Sequence, residues 1–171
     1  LTIPVTVLRC DYSKKSHINY LFTIFHRLNT GGNKLNNQEI RNCIFQGSFN
    51  DFLKSMADYS VFIKLMKINK NKSYRFAYEE LLLRFFAFYD DYDKYNGRLA
   101  KFLNDYMNKK KDADEAELSE KRHTFERTVE LLYQRILNNK PLPKLSKATT
   151  ESVFVGIAKN LNTLEENSNK E

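Results

Sequence analysis

Seven residues between positions 27 and 42 have the types and spacing for phosphate chemistry: Arg27, Asn29, Gly31, Gly32, Glu39, Arg41 and Asn42. They fall in FHRLNTGGNKLNNQEIRN, residues 25–42. A guanidinium grips a phosphate or carboxylate with a planar, two-pronged fork. Two adjacent glycines ahead of a helix let a phosphate reach backbone N–H groups. Asn29 and Asn42 suit sugar or base edges, and Glu39 could hold a metal or orient an arginine. The same residues also have a purely structural reading. Thr30-Gly31-Gly32 is a helix C-cap, Asn36 with Glu39 three residues on is a capping box, and the rest is a solvated polar face. Both readings stand on spacing alone. No GK[ST] follows the glycines and no GxGxxG is present, which excludes a Walker or dinucleotide loop.

Other chemistry is sparse. His17, His26 and His123 are scattered without metal-ligand or triad spacing, and no metal site is expected. Cys10 and Cys43 lack CxxC spacing and sit among apolar residues. They read as reduced core thiols, which places the chain in the cytoplasm. Arg84 is the odd charge in AYEELLLRFFAFY. It either pairs with Glu80 at i, i+4 or reaches the Gly-Gly turn as a support. Lys64, Lys67, Lys70, Lys72 and Arg75 form a cationic stretch, a candidate phosphate-backbone patch. With a net charge of +7 and a pI near 9.3, the expected partner is DNA, a nucleotide or another polyanion.

The elements that must position these residues are mostly helices. The 171 residues contain only five Gly and three Pro, so turns are few. Residues 3–9, IPVTVLR, are β-branched and read as one short strand. Ser16 caps a first helix whose apolar residues Ile18, Leu21, Phe22, Phe25 and Leu28 keep helical spacing. A second helix starts at Asn36 or Asn37, with Ile40, Cys43 and Ile44 inward. Ser48 caps a third, and a fourth runs through Val61–Met66. A fifth, about residues 76–90, is apolar nearly all round and is the expected centre. A sixth ends at Lys109–Lys111, a seventh covers about 112–139, and an eighth holds Val153–Leu161. The fold class is therefore mainly α: a multi-helix bundle with one N-terminal strand. Residues 1–162 form one domain and 163–171 a flexible tail. No apolar run reaches the length of about 18 residues that a membrane span needs.

The stretch Arg27-Leu28-Asn29, Gly31-Gly32, Leu35, Glu39 and Arg41-Asn42 resembles the signature of the GmrSD-type restriction endonuclease N-terminal domain. The IPVTVLR strand fits that family, ELLLRFFAF (80–88) is similar to its helix with a buried arginine, and SVFVGIAKNL (152–161) to its terminal helix. The resemblance implies a ParB/sulfiredoxin-like core followed by a helical region. It further implies NTP hydrolysis or DNA restriction in phage defence, with an NTP and a divalent cation as cofactors of the intact protein. The family's upstream DGQQR motif does not occur in these residues. The chain is thus expected to be the helical second part of such a domain, partnered by an upstream half and inactive alone. By this reading Arg27 and Asn29 contact a nucleotide or DNA phosphate, and Gly31 and Gly32 shape the turn. Glu39 and Arg41 complete or brace the site, Asn42 adds a polar contact, and Arg84 gives support. The alternative from the residues alone is a non-enzymatic helical module that binds DNA or protein.

Overall fold

A computed structural model describes residues 2–5, 7, 9–11, 14–28, 34–69 and 71–168. The chain is mainly helical, as its spacing demands. Nine α-helices follow one another among the described residues: α1 Lys15–Leu28, α2 Asn37–Ile44, α3 Ser48–Ala57, α4 Ser60–Met66, α5 Ala77–Asp91, α6 Leu99–Lys110, α7 Glu115–Glu130, α8 Lys147–Lys159 and α9 Leu161–Ser168. α7 runs on into a π-helical segment, Leu131–Ile136. None of these is long and apolar enough to cross a membrane.

α5 is the centre. Leu81, Leu82, Leu83, Phe85, Phe86, Ala87 and Phe88 are all buried, because α2, α3, α6 and α8 pack round it. Its apolar surface goes nearly all round, and only a helix wrapped on several sides can bury such a surface. The core is aromatic. Phe85 and Phe86 of α5 meet Phe125 of α7 with ring centroids 5.8 and 6.1 Å apart. Phe62 of α4 and Phe154 of α8 close onto the same cluster. Tilted and edge-on pairs of this kind add to the area they bury.

Gly47 supplies the tight corner between α2 and α3. Its φ is +148°, and a Cβ there would lie 2.3 Å from the Lys111 carbonyl oxygen. No other residue lets the backbones approach so closely. Ser48 is the first residue of α3 rather than its cap, and its hydroxyl donates to the Ala113 carbonyl at 2.6 Å. The start of α3 is thereby tied to the α6–α7 connection.

The expected strand at 3–9 lies partly outside the described residues, since 6 and 8 are not among them; of the others, Ile3, Val5 and Val7 are exposed. Other expectations need correction. Ser16 lies in the first turn of α1, not at its cap. Cys43 is exposed and Cys10 partly so. The buried side of α2 is Gln38, Ile40, Arg41 and Ile44, a stripe centred on Arg41 that turns Cys43 outward. Of the expected tail, 163–168 belong to α9, where Arg127 holds Glu165, and 169–171 lie outside the described residues.

Candidate functional site

The start of α2 is built as a clamp. Asn36 adopts an extended backbone, and its side-chain oxygen accepts from the Gln38 and Glu39 N–H groups at 2.9 Å each. Glu39 returns the favour by accepting from the Asn36 N–H at 2.7 Å. This is the capping box expected from the sequence. Arg75, from the α4–α5 connection, then locks it from outside. Its Nε donates to Glu39 Oε1 at 2.9 Å and one terminal nitrogen to Oε2 at 2.6 Å. That same nitrogen donates to the Lys34 carbonyl at 2.6 Å, and the Asn36 amide donates to the Arg75 carbonyl at 2.9 Å. The Arg75 fork holds the Glu39 carboxyl below its usual range, helped by the Asn36 N–H. Glu39 therefore orients an arginine, one of the two roles its position allowed. Among the described residues, no group of three or more His, Cys, Asp or Glu is placed to hold a metal.

Arg41 points the other way, into the bundle. It is 2% exposed and is among the largest fully buried side chains. Its Nε donates to Asn104 Oδ1 of α6 at 2.8 Å, and a terminal nitrogen donates to Gln38 Oε1 at 3.0 Å. Glu80 of α5 lies 3.6 Å from that nitrogen and also accepts from Lys147 of α8 at 3.3 Å. Burial lowers the Arg41 pKa to about 10, against the pull of Glu80 and with the push of Arg84. The group still carries its proton at neutral pH. Arginine suits this position, because its five donors can satisfy two amides and a carboxylate at once.

Arg84 does not pair with Glu80. It holds Glu151 of α8, both side chains being 11% exposed. The spacing from Glu80 is right for a pair, but Glu80 is already taken by Arg41 and Lys147. Asn42 accepts from the Gln38 amide at 3.0 Å, while its own amide nitrogen is buried with no hydrogen-bond partner. Arg27 is exposed near the C-terminal end of α1. Asn29, Gly31 and Gly32 lie outside the described residues, as does Lys70 of the cationic stretch. The structure thus brings Glu39, Arg75 and the Lys34 carbonyl together, and separately Arg41, Gln38, Asn104 and Glu80. Glu39 and Arg41 face opposite sides of one helix.

A second charged cluster escaped the sequence reading. Lys121 of α7 is buried and reaches Asp90 of α5, with its ammonium 5.7 and 6.0 Å from the ring centres of Phe86 and Tyr106. The Tyr106 hydroxyl donates to Asp90 at 2.6 Å, and burial beside that carboxylate pushes the phenol pKa up. Burial opposes the charge of Asp91, but Lys94 and Lys109 hold its carboxyl below the usual range. Asp90, Asp91 and Lys121 border a groove of about 430 Å³ in which Lys109 meets Asp91, Lys110 meets Glu117 and Lys121 meets Asp90. The signal was present in the acidic DDYDK and the basic KKK of the sequence. Only the packing of α6 against the C-terminal part of α5 sets them side by side.

Family models, curated proteins and solved structures offer no match to this chain.

Proposed function

We propose that the chain is the helical part of a cytoplasmic DNA-restriction or phage-defence protein whose nucleotide-hydrolysing or nuclease half lies elsewhere in the polypeptide. Arg27, Asn29, Gly31 and Gly32 contact a nucleotide or DNA phosphate, and α2, which follows them in the sequence, is held in place by Arg75. One observation carries this reading: Arg75 grips both Glu39 and the Lys34 carbonyl across more than thirty residues of chain. A helix cap needs only its own side chains. A tertiary clamp on the residues just after a glycine pair is the support that a positioned binding turn requires. The test is turnover and DNA restriction by the natural polypeptide carrying Arg27→Ala. We expect activity to fall at least a hundredfold with the melting temperature unchanged. Normal turnover in that variant would remove the site assignment.

The burial of Arg41 away from any ligand and the net charge of +7 favour a second reading, a non-enzymatic module that binds DNA through its basic surface. Under that reading Arg27→Ala costs only its share of a binding energy that declines linearly with log salt concentration.

A further inference from the structure

The connection between α4 and α5 contains the least comfortable backbone in the bundle. Arg75 and Phe76 are consecutive and both left-handed, with φ of 47° and 60°. Side chains resist that conformation, and residues other than Gly, Asn and Asp seldom adopt it. The clamp on Glu39 accounts for Arg75. The core does not account for Phe76, whose ring is 40% exposed. Phe76 is also the N-cap of α5 and makes no side-chain cap, where Asn or Gly would suit both helix and backbone. Such strain persists at sites where the displayed side chain is used.

Beside that ring lies an open pocket of about 530 Å³, within the range of small-molecule sites. Tyr74, Phe76 and Tyr78 line it, together with Lys72, Lys54 and Glu79. Tyr74 and Tyr78 stand edge to face, 4.9 Å between centres, and the Tyr74 hydroxyl is fixed by the Asn69 N–H at 2.9 Å. Glu79 is half-buried in the wall beside Asp58, and burial raises its pKa with Asp58 adding to it. Aromatic faces, cations at the edge and one polar side chain are what a nucleobase with an attached phosphate requires. We propose that this pocket binds a nucleoside phosphate, its base stacked on Phe76 beside Tyr74, its amino edge on Glu79 and its phosphate against Lys72. The inference rests on the reading above only for the class of ligand. The residues differ, and Arg75 is the one side chain shared by the clamp and the pocket.

Calorimetric titration of the whole chain with AMP, ATP and a single-stranded oligodeoxyadenylate tests it. Phe76→Gly should weaken binding about tenfold, the cost of one lost stacking contact. Its melting temperature should hold or rise, because glycine suits the left-handed position. Phe76→Tyr should bind as the parent does. Binding of AMP and ATP marks a free nucleotide as the ligand, and binding of the oligonucleotide alone marks a strand. Equal affinity of Phe76→Gly and parent, or no binding of any of the three, overturns the pocket. Loss in Arg27→Ala with Phe76→Gly unaffected also overturns it and leaves the turn as the site. Loss in Phe76→Gly with Arg27→Ala unaffected keeps the pocket and counts against the turn.

Discussion

The two ends of α5 handle charge in opposite ways. Near its N-terminal end, Glu80 and Arg84 face Arg41, Glu151 and Lys147, and the two guanidiniums are 2% and 11% exposed. Near its C-terminal end, Asp90 and Asp91 face Lys94, Lys109 and Lys121, and two of those three ammoniums are more than half exposed. The first arrangement centres on two guanidiniums that are buried or nearly so and meet carboxylates, with neutral amides added at Arg41 and the exposed Lys147 at its edge. The second borders an open groove and relies on lysine with carboxylates. Lys121 is the exception that explains the rule: its stem lies along Phe86 and Tyr106 while its head reaches Asp90. Water screens and replaces partners at the open end. At the closed end each lost partner leaves a buried group unmet. The same residue classes therefore act as structure at one end of the helix and as replaceable surface at the other.

The largest effect expected from breaking this contrast is at the closed end. Arg41→Ala leaves Gln38, Asn104 and Glu80 without their common partner, and should cost about 3 kcal/mol in denaturant unfolding. Next comes Glu39→Gln, read through pH. The Glu39 carboxyl titrates below its ordinary 4.5 in the folded chain. Its contribution is therefore complete above 4.5 and is lost as pH falls through the lower folded value. The parent should be more stable than Glu39→Gln at neutral pH, with the gap closing in acid. A constant gap across a series of thermal melts would refute the linkage. The smallest effect belongs to the open end. Lys109→Ala should change stability by less than about 0.5 kcal/mol, and a cost as large as that of Arg41→Ala would erase the contrast.

Much of this was legible in the residues, for reasons that differ by position. The α2 capping box needs only Asn36 and Glu39 at the right spacing, so a local pattern sufficed. The central place of α5 followed from an apolar surface too wide for any exposed helix. Arg41 was harder. Cys43 is the more apolar residue and was expected inward, yet Arg41 takes the buried side because Asn104 and Glu80 wait there from helices far along the chain. The partner of Arg84 was misread for the same reason: i, i+4 spacing offers Glu80, and tertiary packing supplies Glu151. Long-range polar pairing leaves no periodic trace in sequence, which is also why Arg75 looked like one more cation in a basic run.

The central claim is that the polar motif divides into a contacting residue, Arg27, and bracing residues, Glu39 and Arg41. Side-by-side thermal unfolding of Arg27→Ala and Arg41→Ala tests it most directly. The account predicts that Arg41→Ala melts about 6–12 °C lower than the parent, while Arg27→Ala stays within about a degree. Equal melting temperatures for the two variants would contradict it.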